Sequence, residues 1–295
     1  MARIVLIGPG AIGGTAAGAL LAHGGHDLTI CANQVFDTLT LTRAKTGEAD
    51  AFPVRVLTSP QAAEPADWVL LAVKAHQTPS AGDWLKATVG PATKLAVLQN
   101  GVEHRVRVAP YIPTETCVVP VVVQLPAERT APGAIMLYGR SNLIVADDDA
   151  GKEFEGLFAG SFMTIIRTDD FMTRQWEKLC MNTASGAISA LTLRPDAIAT
   201  VPGVKALARA IMEECMAVGR AEGAKFASGF VDALLGYFMR PGNRGNSMYY
   251  DRRDGKVLEY DARNAAVSRF GRKHGIPTPL SDALVPLLRA CGPPS

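Results

Sequence analysis

Lys178 and Asn182 stand four residues apart in a stretch, 173–193, whose apolar spacing predicts a helix, so both project from one face. A lysine and an amide aimed together at a carbonyl oxygen could bind it and deliver a proton while hydride reaches the carbon. An ordinary lysine, with a pKa of about 10.4, gives up its proton reluctantly. Burial would lower that value and a neighbouring carboxylate such as Glu259 would raise it; the sequence leaves the balance open. Glu259 and Asp261 lie in the run 257–264, VLEYDARN. Taken alone, Glu259 and Arg263 read as an i,i+4 ion pair on a solvated helix face, and Ser247 reads as a helix cap.

These side chains need elements to hold them, and the N-terminus supplies the first. Residues 4–7 form an apolar, β-branched run suited to a strand buried on both faces. Gly8-x-Gly10-x-x-Gly13 follows at once, then an alanine- and leucine-rich helix over 11–23 closed by Gly24-Gly25. Gly8 permits the tight turn, Gly10 lets the backbone approach a pyrophosphate, and Gly13 lets the helix pack on the strand. The free N–H groups of the first helical turn, at Ala11, Ile12 and Gly13, would face the phosphates. Strand, glycine turn and helix in succession predict a dinucleotide site.

Two further buried-strand runs, 68–73 and 94–99, end at Lys74 and at Asn100-Gly101, where open α/β sheets bind ligands. The second strand, 27–31, normally decides the cofactor: an acidic residue at its end selects NAD, an arginine NADP. Here Cys31-Ala32-Asn33-Gln34 is neither, and Arg43 and Lys45 beyond it read as a solvated loop.

At 295 residues the chain has room for two domains, and with 48% hydrophobic and 20% charged residues it has the make-up of a soluble globular protein. A net charge of +2 gives no electrostatic reason to expect nucleic acid or an anionic membrane as partner. No apolar run reaches the length of a membrane span, and the N-terminus lacks the shape of a signal peptide. Five scattered cysteines without a C-x-x-C argue against a disulfide framework or a zinc site, so no metal and a cytoplasmic setting are expected. Strands over 117–124, 134–138, 142–146 and 163–167, with a helix over 151–159, suggest an antiparallel or mixed edge to the sheet. From there the pattern turns helical, over 173–193, 204–222, 230–239, 255–274 and 281–290. The expected architecture is α/β: a doubly wound, Rossmann-type domain over 1–169 and an all-helical domain over 170–295 that carries the substrate site. An apolar face on such helices makes a homodimer an expectation.

The order of GxGxxG, Val73-Lys74, Asn100-Gly101, Trp176-Glu177-Lys178-Leu179-x-x-Asn182, Ser247-Met248-x-x-Asp251 and Glu259-x-Asp261-x-x-Asn264 resembles the ketopantoate reductase family over 3–288. The resemblance implies a Rossmann domain, a helical domain and a cleft between them. It implies reduction of a small 2-oxo acid, 2-dehydropantoate to (R)-pantoate, with NADPH in the pantothenate pathway. It makes Lys178 the residue that protonates or polarises the 2-oxo group, and gives Glu259 the task of placing substrate and lysine. Ser247 would bind the substrate carboxylate and Asn182 its hydroxyl. Asn100 would lie between cofactor and substrate, and Lys74 would touch the cofactor.

The chain also departs from the family pattern. Asn33 stands where an arginine is usual, Gly186 and Arg244 where asparagines are common, and Ala265 where a glycine often follows Asn264. Arg244 could grip a second acidic group on the substrate, or be a solvated arginine of its glycine-rich loop. Two alternatives accompany the main reading. One is a D-2-hydroxy acid dehydrogenase of the same family using NAD. The other is a non-catalytic dinucleotide sensor, which would need the glycine loop but not a Lys178–Glu259 pair.

Overall fold

The structure, a computed structural model, describes residues 1–240 and 245–293. The chain forms two compact units, Met1–Gln99 with His104–Phe171, and Asn100–Glu103 with Met172–Ser295.

The first unit is built on a six-stranded sheet in the order Arg55–Leu57, Asp27–Cys31, Arg3–Ile7, Trp68–Leu71, Lys94–Val97, Cys117–Pro120. Every neighbouring pair in it is parallel. Ile4 to Ile7 and Trp68 to Leu71 are buried throughout, as strands covered on both faces must be. Numbered by their own succession these strands run 3-2-1-4-5-6, and the order reverses between Arg3–Ile7 and Trp68–Leu71, the position at which a doubly wound sheet opens a ligand crevice.

The helix Ala11–His23 leaves that point and ends at Gly24, whose N–H donates to Leu20 O. It is small-residue-rich because it is covered on more than one side. A Cβ on Gly18 would sit 2.2 Å from Leu41 Cδ1, and one on Gly14 2.7 Å from Ile135 Cδ1. Leu41 and Ile135 belong to a second, four-stranded sheet, ordered Ala127–Ala131, Ala134–Leu137, Thr38–Arg43, Ala49–Pro53. A three-stranded sheet, Thr164–Thr168, Asn142–Ala146, Val122–Gln124, completes the unit.

The later strands therefore form sheets of their own rather than a mixed edge to the parallel one. The expected strand over 117–124 is two. Cys117–Pro120 closes the parallel sheet, where an outermost strand tolerates a residue without an N–H. Val122–Gln124 turns away to pair antiparallel with Asn142–Ala146. Thr38–Arg43 corrects the loop reading of Arg43: it is a half-buried strand with Leu39 and Leu41 inward, and Arg43 Nη2 donates to Asp50 Oδ2 at 2.7 Å.

The second unit is helical. Its longest element, Phe171–Thr192, buries Trp176, Leu179, Cys180, Thr183, Ala184 and Ala187. Trp176 meets Phe270 edge-on at 5.6 Å, and the helix Val204–Ala221 contributes Ile211, Met212, Cys215 and Val218 to the same core. The expected helix over 255–274 begins only at Asn264. Residues 255–263 are irregular, with turns at 255 and over 259–263: Arg263 N and Ala265 N both donate to Tyr260 O, at 3.2 and 3.0 Å. Glu259 and Arg263 are thus joined around a turn, not along a helix.

Candidate functional site

In the first unit, Gly8 follows the first strand with φ +91° and its N–H donates to Cys31 O at 3.1 Å. A side chain there is strained in itself, and its Cβ would lie 2.5 Å from Val73 Cγ1. Gly13 is equally constrained from outside, since a Cβ would stand 2.2 Å from Gly8 O. Gly10 differs. Nothing lies within 4 Å of the place its Cβ would take, so the loop presents bare backbone to open space. The helix that begins at Ala11 has no side-chain cap and no acidic residue in its first turn. Its free N–H groups and partial positive charge suit a pyrophosphate, and these residues fit the dinucleotide expected of them.

Gln99, buried at the end of Lys94–Val97, organises the neighbouring strand end. Its Nε2 donates to Val73 O at 3.0 Å and to Thr78 Oγ1 at 3.0 Å, while its carbonyl lies 2.8 Å from His104 Nε2. The turn carrying Lys74 is thereby fixed, with Lys74 N donating to Gln77 Oε1 at 3.2 Å. Asn33 is exposed at the end of the second strand.

In the second unit five of the residues singled out by their chemistry meet through hydrogen bonds or charge. Asn182 Nδ2 donates to Asn100 Oδ1 at 3.3 Å, and Asn100 Nδ2 donates to Glu259 Oε2 at 3.0 Å. Arg263 Nη2 donates to the same Oε2 at 3.0 Å and to Ser247 Oγ at 2.8 Å. Glu259 is 3% exposed and Arg263 1%, so their ion pair is an interior one, not the solvated pair its spacing suggests. Lys178 shares the site through charge. Its ammonium is pushed down to about 8, first by burial and then by the like charge of Arg263. Its Nζ lies 3.9 Å from the Met181 sulfur, a weak contact that leaves the group available.

The local sequence explains these placements. Lys178 and Asn182 come one turn apart on Phe171–Thr192. Ser247 is the first residue of the helix Ser247–Arg253, and the cap is Asn246, not Ser247. Asn246 Oδ1 accepts from Met248 N and Tyr249 N, while its Nδ2 donates to Ser185 O at 2.9 Å and Ser189 Oγ at 2.8 Å. This amide anchors the helix carrying Ser247 to the helix carrying Lys178. Asn100 is held by its successors: a Cβ on Gly101, φ +106°, would lie 2.8 Å from Ala262 O, and Glu103 takes a bidentate pair from Arg269. Arg244 lies outside the described residues. Sequence reasoning overlooked Gln99 and Asn246, and gave Arg263 only a surface role.

Chemically, the cluster offers an ammonium of moderate acidity, a carboxylate that accepts from a guanidinium and an amide, two amides and a hydroxyl. Such donors suit an anionic substrate whose carbonyl oxygen gains charge during reaction.

Comparison with known proteins finds similarity over nearly the whole chain. The family model described as ketopantoate reductase PanE/ApbA matches residues 4–149, and that of its C-terminal region matches 170–292. The 2-dehydropantoate 2-reductase of Caulobacter vibrioides is 41% identical over 293 residues, covering 98% of this chain and 99% of its own. Among solved structures, the PanE/ApbA family ketopantoate reductase of Ralstonia eutropha superposes with a TM-score of 0.89 at 29% identity, covering 98% of both chains. The dimeric ketopantoate reductase of Staphylococcus aureus does so with 0.86 at 25% identity, again over 98% of both.

Proposed function

The chain belongs to the ketopantoate reductase family, and from that premise we propose that it reduces 2-dehydropantoate to (R)-pantoate with Lys178 as the proton donor. The observation that carries this reading is the hydrogen-bonded chain Ser247–Arg263–Glu259–Asn100–Asn182, running from an exposed serine to a buried ion pair, beside a lysine whose pKa is brought down to about 8. A nicotinamide cofactor, when bound, supplies the hydride that goes to the 2-oxo carbon. The protein residues manage the oxygen. Lys178 hydrogen-bonds the carbonyl, stabilises the charge that grows there and transfers its proton to give the hydroxyl, then regains one from solvent. At neutral pH the lysine is mostly charged, yet its acidity is close enough to the working pH for transfer. Ser247 binds the substrate carboxylate and Asn182 its hydroxyl, while Asn100 and Glu259 set the substrate's orientation.

Gly8, Gly10 and Gly13, with the N–H groups of Ala11 and Ile12, hold the pyrophosphate, and Lys74 contacts the cofactor. NADPH is the preferred form. Because Asn33 is neither acidic nor cationic and Arg43 is engaged by Asp50, the preference over NADH is modest, about tenfold in kcat/KM where a dedicated arginine would give more. The relative from Staphylococcus aureus is a dimer, and this chain is proposed to be one too, acting in the cytoplasm. Among the described residues no helix is long and apolar enough to cross a membrane.

The test is the initial rate of NADPH and NADH oxidation with 2-dehydropantoate, beside pyruvate and 2-oxoglutarate as competing 2-oxo acids. The proposal expects 2-dehydropantoate to have the highest kcat/KM. A higher value for either competitor would move the enzyme to another 2-oxo acid. Tight cofactor binding without turnover of any would make the protein a sensor.

A further inference from the structure

Arg263 has no part in the mechanism as written, yet it is the most deeply buried charge of the site. One amino group, Nη2, serves two acceptors, Ser247 Oγ at 2.8 Å and Glu259 Oε2 at 3.0 Å. The guanidinium reaches them because position 186 has no side chain. A Cβ on Gly186 would stand 2.9 Å from Arg263 Nη1 and 3.1 Å from Met248 Sδ. Gly186 is part of the helix that carries Lys178 and Asn182, Met248 of the helix that begins with Ser247. The arginine therefore lies where the elements bearing the reactive groups converge. Its Nε is buried without a hydrogen-bond partner among the described residues, a cost that a purely structural ion pair would have no reason to carry.

We propose that Arg263, seated on Gly186, is the positioning residue of this site: its single Nη2 group ties the Ser247 hydroxyl to the Glu259 carboxylate and fixes the state in which each meets the substrate. The inference rests on the reading of Ser247 and Glu259 given above. Two chemical consequences follow from the hydrogen bonds. A serine oxygen that accepts from arginine has its own proton free, so Ser247 is preset to donate to an incoming carboxylate. A carboxylate oxygen that accepts from both Arg263 and Asn100 has its lone pairs engaged, so Glu259 does not compete with the substrate for the Lys178 proton. The like charge of Arg263 also adds to burial in making that proton labile.

The test is a double-mutant cycle on kcat/KM for 2-dehydropantoate with NADPH, using Arg263→Met, Ser247→Ala and the double variant. Each single change is expected to lower kcat/KM roughly 100-fold, mainly through KM for Ser247→Ala and through both constants for Arg263→Met, with the Kd of NADPH unchanged. Because the two act as a unit, the double variant is expected to be no more than about threefold worse than Arg263→Met. A double variant that loses the product of the two single factors would overturn the proposal.

Arg263→Lys keeps the charge but not the fork, and is expected to recover about tenfold over Arg263→Met. Gly186→Ala, which displaces the guanidinium from the other side, is expected to raise KM in the same sense; kinetic constants equal to the parent's would overturn the seat. These two variants carry the test if Arg263→Met does not fold. Should the parent reduce no 2-dehydropantoate with either cofactor, the proposed function fails by itself. The cycle is then read on the unfolding midpoint of the cofactor-free protein, where non-additive shifts support the tie and additive ones overturn it.

Discussion

Lys178 is half-buried and Arg263 fully buried, and the two cations should respond to removal with opposite signs. Lys178 loses hydration without a carboxylate of its own, so its folded pKa of about 8 lies below the unfolded value of 10.5. That gap is a cost to folding, about 3 kcal/mol at most. The cost is complete below pH 8 and is relieved as pH rises from 8 to 10.5, where the unfolded chain still binds the proton and the folded one does not. Lys178→Met is therefore expected to stabilise the cofactor-free protein at pH 7, by about 2 kcal/mol in chemical denaturation. Arg263→Met removes the cation paired with Glu259 and is expected to destabilise by about 3 kcal/mol. The same lysine sets the pH profile: reduction should fall about tenfold per unit above pH 8, and oxidation of the hydroxy acid should rise toward that pH. Lys178 and Asn182 could be placed together from their helical spacing and Asn100 from its strand end, whereas Ser247 and Glu259 entered only through the order of motifs that resembles the family. The role of Arg263 was not legible. Four residues from a glutamate reads as a surface pair unless one knows that a turn folds both inward, and that Gly186 vacates the space.

The glycine turn shows how an element's chemistry depends on what surrounds it. Gly10→Ala places a methyl group in open space, so its unfolding midpoint is expected to match the parent's while the Kd for NADPH rises at least tenfold, since the backbone there is proposed to receive the pyrophosphate. Gly13→Ala collides with Gly8 O and is expected to lower both stability and cofactor affinity. Equal effects of the two substitutions on stability would contradict this account of the turn. The motif, the first strand and the helix Ala11–His23 could be read from local pattern alone, because a fully buried strand and a small-residue helix have unmistakable composition. Thr38–Arg43 was missed although its alternation of threonine and leucine has the period of a half-buried strand. One partner, Ala49–Pro53, follows closely in the chain, but the other, Ala134–Leu137, lies far along it, and pairing of that kind leaves no local mark. The stretch 255–263 was misread for the converse reason: helix-forming residues there yield to the turn that buries Glu259 and Arg263.

For the molecule as a whole, two units with separate cores imply that ligand effects can be followed unit by unit. NADPH at about 100 times its Kd should add about 2.7 kcal/mol to the unit that binds it. Amide exchange is expected to slow in Arg3–Ile7, Trp68–Leu71 and Ala11–His23. No added protection in these elements would place the cofactor elsewhere. This chain is proposed to reduce a 2-oxo acid with Lys178 supplying the proton. The most direct test is single-turnover oxidation of bound NADPH on mixing with saturating 2-dehydropantoate at pH 7, for the parent and for Lys178→Met. Rapid turnover by the parent and a loss of roughly a thousandfold in the variant are expected, with the Kd for NADPH unchanged. Equal rates in the two proteins would remove Lys178 from the chemistry, and the proposed mechanism with it.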